Sequence, residues 1–130
     1  MRLKILTPER QVLDADVERV VADSNMGSFG VLDRHQPMVA SLKIGVLQYV
    51  TQGERHSVAV MGGMFQTDGR EALVLTNSAE LAGEIDTLRA QQAKERAEAL
   101  LRQQDSNVDA QRAEMALARA IARLKVAGKP

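Results

Sequence analysis

The hydrophobic period of the chain changes near residue 78, and this constrains the fold more than any other feature. Before it, apolar residues alternate along short runs. "RLKILTP" sets Leu3 and Ile5 on one face, "DVERVVADS" carries Val17, Val20 and Val21, and "IGVLQYV", "HSVAVM" and "EALVLTN" are brief and rich in β-branched residues. Turn signals bound these runs at Thr7-Pro8, Gly27, Gly30, Gly45, Gln52-Gly53, Gly62-Gly63 and Asp68-Gly69. Many short strands at this spacing predict an antiparallel sandwich or barrel, and Asp68-Gly69 predicts a tight hairpin. A pattern of period two cannot settle as a helix, so the residues on either side of the boundary must fold differently.

Beyond the boundary alanine is frequent, aromatics vanish and glycine is absent from Ile85 to Ala127. Asn77 or Ser78 can cap a first helix, and Glu80 then falls at a position that suits a capping box. Leu81, Ile85 and Leu88, continued by alanines to Leu100 and Leu101, predict its buried stripe. "QQDSNVD" interrupts the period at residues 103–109, where Ser106 can cap a second helix. The second stripe is Ala113, Ala116, Leu117, Ala120, Ile121 and Leu124. The predicted class is α+β: an N-terminal antiparallel β-sandwich over residues 1–78, followed by a C-terminal antiparallel two-helix hairpin over residues 79–130. Alanine stripes bury little area, so the hairpin is expected to hold together weakly and to move.

Composition excludes several functions. Lys and Arg number 17, as do Asp and Glu. This balance argues against a general nucleic-acid binder. With no cysteine, thiolate metal sites and disulfides are impossible. The two histidines, His35 and His56, lie in different segments, which argues against a zinc site. No run approaches the roughly 18 apolar residues of a membrane span, and "MRLKILTPERQ" has no signal-peptide pattern, so no direct membrane insertion is expected.

Within "IDTLRAQQAKERAEALLRQQD", Asp86, Arg89 and Arg96 fall on one side of a helix that advances about 100° per residue. By the same arithmetic Arg112, Arg119 and Arg123 share a side of the second helix. If these sides meet, several guanidinium forks converge in an arrangement suited to phosphate oxygens, with Ala90 and Ala93 leaving room for a flat ring. The plain reading is a solvated helix of mixed charge, since Glu95 and Glu98 lie near these arginines. Gly62-Gly63 lacks any phosphate-loop pattern around it and reads as a bulge or tight strand crossing. The scattered methionines read as core or interface filler.

Four segments, in this order, carry a resemblance over the whole chain: "LKILTPERQVLDADVERVV", "GSFGVLDRHQPMVASLKIGVLQ", "VAVMGGMFQ", and the pair "NSAELAGEIDTLRAQQAKERAEALL" with "RAEMALARAIARLKVA". Together they resemble the ε subunit of bacterial F-type ATP synthase. The resemblance implies a sandwich of about ten strands and a helical hairpin in the central stalk of the rotor. The sandwich would contact the γ subunit and the c-ring, and the hairpin, when extended, would reach the α/β catalytic head and inhibit ATP hydrolysis. The subunit would be no enzyme, with no catalytic or metal residues, and would lie at the cytoplasmic face of the bacterial cell membrane as a peripheral component.

"IDTLRA" is similar to the I/L-D-x-x-R-A motif of ε subunits that bind ATP as a regulatory ligand, as in bacillus-like members. Carried over by position, the implied nucleotide residues are Glu80, Ile85, Asp86, Arg89, Ala90, Arg96, Arg119 and Arg123, although a capping role accounts for Glu80 equally well. Ser28, Phe29 and His35 are implied rotor contacts. Ser28 stands where many relatives carry an acidic residue, and His35 reads equally well as a turn residue before Pro37. Two rival readings remain: a coupling subunit of the same complex that binds no nucleotide, and an unrelated β-sandwich binding module.

Overall fold

Two 14-residue strands, β5 (Met38–Thr51) and β6 (Glu54–Thr67), form the frame of the N-terminal part. They pair antiparallel throughout and are joined at Gln52 and Gly53, both at positive φ (51° and 78°), the geometry of a tight hairpin turn. The computed structural model describes residues 1–103 and 109–128. The other strands are β1 (Arg2–Leu6), β2 (Gln11–Asp16), β3 (Arg19–Ser24), β4 (Gly27–Leu32), β7 (Glu71–Leu75) and β8 (Ala79–Leu81). The strand order is β2-β1-β7-β6-β5-β3-β4, with β8 also on β6.

The long hairpin serves two layers. The second half of β6, Met64–Thr67, pairs with β7, while its first half, Val58–Val60, pairs with β8. Counting each half of β5 and β6 separately gives five strand segments in each layer. Eight continuous strands therefore produce the sandwich expected to have about ten. Between the halves lie Gly62 and Gly63, at φ 82° and 112°, and a Cβ on Gly63 would stand 2.1 Å from the Leu75 carbonyl oxygen. Only glycine permits that close crossing, so the bulge reading holds. All pairings are antiparallel except β1 with β7, which is parallel.

The core lies between the layers, where period-two alternation puts Leu3, Ile5, Val20, Val31, Leu47, Val58, Phe65 and Val74 almost entirely out of solvent. Phe29 meets Phe65 edge to face at 5.1 Å. The predicted Asp68-Gly69 turn is present. The Asp68 carboxylate accepts from the amides of Arg70 (2.8 Å) and Glu71 (2.9 Å), which holds its pKa below the ordinary value.

Helices α1 (Thr87–Arg102) and α2 (Ala110–Val126) pack on one another, and α2 is the one that lies on β5 and β6. The contact uses alanines at seven-residue spacing, Ala90 and Ala97 on α1 and Ala113 and Ala120 on α2, all buried. Farther along, Ala122 and Val126 join Ala59, with Val46, Met61 and Ile85 around them.

Several sequence expectations need correction. Neither Asn77 nor Ser78 caps a helix: Ala79–Leu81 form β8 against β6, followed by one 3-10 turn over Ala82–Glu84. Pairing with an open strand edge overrides the local start signature there. The first helix begins at Thr87, with Asp86 accepting from the Arg89 amide at 3.0 Å. Leu88 is 69% exposed, not part of a buried stripe, and Leu100 is also exposed. Leu81 packs on the sandwich core and Ile85 on the α2 patch. Ser106 lies outside the described residues; Asp109 caps α2, accepting from the Arg112 amide at 3.1 Å.

Candidate functional site

A groove of about 770 Å³ opens between the two helices and the sandwich. Its floor is made by small residues, Ala90 and Ala93 on α1 and Ala116 on α2. Their lack of bulk lets the helix axes approach and leaves space above them. Arg89 and Arg96 enter from α1, Arg119 and Arg123 from α2, and Asp86 stands at the helix entrance. Of the eight residues implied for nucleotide, Glu80, Asp86, Arg89, Ala90, Arg96, Arg119 and Arg123 line this one groove. Ile85 does not; its side chain is turned into the apolar patch with Ala59, Ala122 and Val126. Arg112, which the period placed with Arg119 and Arg123, is exposed and outside the groove.

The charges are unevenly satisfied. Arg123 Nε donates to Glu80 Oε1 at 2.5 Å, a pair less than a third exposed on either side. Arg10, from the turn between β1 and β2, donates from both terminal nitrogens to Glu84, at 2.7 and 2.8 Å. Among the described residues, Arg89, Arg96 and Arg119 form no ion pair. Glu95 instead accepts from Gln91 at 3.2 Å, and neither Glu95 nor Glu98 bridges an arginine among the described residues. Arg89, Glu95 and Arg96 are exposed, as the plain reading of a solvated helix of mixed charge also expects. Arg89, Arg96 and Arg119 share one concavity with the carboxylates of Glu9 and Asp86, their forks suit an anion with several oxygens, and the volume lies within the range of about 300–1,000 Å³ of small-ligand sites.

Asp86 already has work as an N-cap. The same unit recurs at Asp109, where "DAQR" repeats "DTLR": in both, the aspartate accepts from the amide of the arginine three residues on. This accounts for each aspartate by helix initiation but not for the arginine, whose backbone amide any non-proline residue would supply and whose side chain is not used.

Sequence reasoning missed the sandwich side of the groove: Thr7, Glu9, Arg10, Asn77, Ser78 and Glu84. Arg10 and Glu84 are 74 positions apart, and no local pattern announces a contact of that separation. Glu84 is held below the ordinary carboxylate range first by the Arg10 fork and then by the Leu81 amide, and the Arg10 pKa is raised in turn.

Ser28, Phe29 and His35 lie away from the groove. Ser28 is exposed on β4, and Phe29 is half-buried against Phe65. His35 sits in the turn before Pro37 with Nδ1 2.7 Å from the Gln36 carbonyl oxygen. Its neighbour Arg34 donates its amide to Gly69, tying this turn to the β6–β7 turn. Among the described residues no cluster of three metal-type ligands occurs, and no helix is long and apolar enough to cross a membrane.

Comparison with known proteins covers both parts. Residues 1–82 match the model described as the ATP synthase delta/epsilon chain beta-sandwich domain, and residues 84–128 the delta/epsilon long alpha-helix domain. The chain is 50% identical over 129 residues to the ATP synthase epsilon chain of Symbiobacterium thermophilum, covering 98% of this chain and 93% of the relative. It is 41% identical over 128 residues to that of Bacillus velezensis, covering 98% and 97%. Among solved structures, a chain of the Euglena gracilis mitochondrial ATP synthase assembly of OSCP, F1 and c-ring superposes with a TM-score of 0.80 at 26% identity, over 96% of this chain and 79% of that one. A chain of the Tetrahymena thermophila central stalk and c-ring, at 14% identity and TM-score 0.61, shares the fold.

Proposed function

The chain belongs to the ATP synthase delta/epsilon chain family, and from that premise we propose that it is a rotor stalk subunit whose helical hairpin holds ATP as a regulatory ligand. Its role is non-catalytic. The sandwich joins the γ subunit and the c-ring at the cytoplasmic face of the membrane. The hairpin, folded back, retains ATP; extended, it reaches the α/β head and inhibits hydrolysis.

The observation that carries the nucleotide reading is the set of three arginines, Arg89, Arg96 and Arg119, brought by two helices to one groove and without an ion pair among the described residues. Neither helix alone presents the set. Arginine forks suit a triphosphate, and the alanine floor suits a flat base lying between them. In a non-catalytic stalk subunit the nucleotide would be sensed and not consumed.

Calorimetric titration of the full chain with ATP tests this, beside co-purification with the γ subunit. Saturable binding that Arg89→Ala weakens about tenfold or more supports the proposal. Assembly with γ but no binding of ATP would favour a coupling subunit without nucleotide. The capping of α1 by Asp86 is the observation on that side, because it gives Asp86 a role with no ligand.

A further inference from the structure

We propose that Arg10 is a positioning residue for the groove, holding the start of α1 in place through Glu84; the inference rests on the nucleotide reading of that groove. The backbone of Arg10 is itself fixed. Thr7 and Arg10 close a tight turn between β1 and β2, with the Thr7 amide donating to the Arg10 carbonyl at 3.0 Å and the Arg10 amide to the Thr7 hydroxyl at 3.2 Å. From that rigid point the guanidinium reaches across to the linker before α1 and makes two parallel bonds to Glu84. A two-point fork fixes orientation as well as distance, which a single point charge does not.

Glu84 passes the restraint on. Its Oε1 also accepts from the Leu81 amide at 2.9 Å, closing the 3-10 turn between β8 and the helix. That turn buries no residue, so packing supplies little to hold it. Two positions later Asp86 caps α1 and fixes the Arg89 amide. Arg10 thus anchors the short segment that sets where Arg89 enters the groove. The sandwich thereby takes part in placing Arg89, Arg96 and Arg119, which the helices bring to the groove.

The guanidinium of Arg10 is committed to Glu84 and to the Ala79 carbonyl, at 3.4 Å. It acts through Glu84, not by direct contact with a ligand. Glu84→Gln should therefore weaken ATP binding as Arg10→Ala does, by about two- to fivefold, the scale of an exposed ion pair. The double variant should be no weaker than either single one, because both remove the same interaction. Arg2→Ala breaks another arginine–carboxylate pair, with Asp14, on β1 and β2 but outside the groove lining, and should leave binding unchanged.

The test is calorimetry with ATP on these four variants of the full chain, with amide hydrogen exchange on the ATP-free proteins. In Arg10→Ala and Glu84→Gln, the Leu81 and Arg89 amides should exchange faster than in the parent, and in Arg2→Ala they should not. Weakening by Arg10→Ala alone, with Glu84→Gln unaffected, would mean that Arg10 acts by charge or direct contact and overturns the proposal. So would additive losses, or unchanged exchange at Leu81 and Arg89. If the parent protein binds no ATP, the nucleotide reading fails by itself, and the exchange comparison still decides whether Arg10 holds the start of α1.

Discussion

Arg123 in the last turn of α2 donates to Glu80 of β8, joining the end of the hairpin to the edge of the sandwich. With the apolar patch of Ala59, Ala122 and Val126 beneath it, this pair closes the folded-back form. Removing either partner leaves a half-buried charge alone. Glu80→Ala or Arg123→Ala should each loosen the hairpin by about 1 kcal/mol, and the double variant should cost no more than one of them. Amide exchange along α2, with the β-strands as internal reference, measures it; equal protection in all variants would deny the latch.

A second prediction concerns the groove. On the nucleotide reading Arg89→Ala should remove a charge-assisted contact to phosphate worth about 1.5–3 kcal/mol, so ATP affinity should fall about tenfold or more. Arg102→Ala, exposed at the far end of α1, should change it little. Equal losses at both positions would indicate a diffuse field in place of a site.

The helix contact itself is testable through its alanines. Ala120 is 1% exposed on α2, which packs on α1. Ala120→Leu should cost about 1–3 kcal/mol by forcing the axes apart. Circular dichroism melts would show lost helix signal at a lower temperature than lost strand signal. A variant that melts with the parent would mean the helices approach less closely than the alanine contact requires.

These sites show how much of the molecule was legible in the sequence. Alternation marked the strands and Gly62-Gly63 marked the crossing, because both are local consequences of pleat and backbone freedom. The groove arginines were legible because helical period places them without knowledge of the partner. The start of α1 was not, because Ala79–Leu81 obey the open edge of β6 at Val58–Val60 and not their own capping signature. Nor was the outward turn of Leu88, since a leucine marks a buried face only when a neighbour covers it. Arg10 and Glu84 needed the whole fold to meet.

Acid should act on three carboxylates. Asp14, Asp68 and Glu84 have folded pKa values below their ordinary 3.8, 3.8 and 4.5, through the Arg2 side chain, the Glu71 and Arg70 amides, and the Arg10 side chain respectively. A lowered pKa stabilises the fold fully above the ordinary value, and that contribution is lost as pH falls through the folded value. Stability should therefore be flat above about pH 5 as far as these groups act, and decline below 4.5. Asp68→Ala should flatten part of that decline in urea titrations across about pH 3–6; an unchanged slope would remove Asp68 from the account.

The last prediction concerns ATP as a switch. The folded-back hairpin rests on alanine contacts, the apolar patch of Ala59, Ala122 and Val126, and the latch of Glu80 with Arg123, and swinging the helices away must break that latch. Arg10 and Glu84 precede α1 and can stay joined, so the movement should pivot at Ile85 and Asp86. The closed pair of helices assembles Arg89, Arg96 and Arg119 in one groove, so ATP should bind the closed form better, and a ligand shifts an equilibrium by its differential affinity alone. At about 100 times its dissociation constant the bound form gains about 2.7 kcal/mol, enough to hold a hairpin of marginal stability. Nucleotide depletion should raise inhibition of hydrolysis in the assembled complex, and ATP should relieve it. A fluorescent pair, one dye on the sandwich and one near Lys125, should report a short distance with ATP and a longer one without. Arg89→Ala should shift the transition to higher ATP concentration, and Glu80→Ala should lengthen the distance even in saturating ATP. An unchanged distance under demonstrated saturation would separate nucleotide binding from the movement.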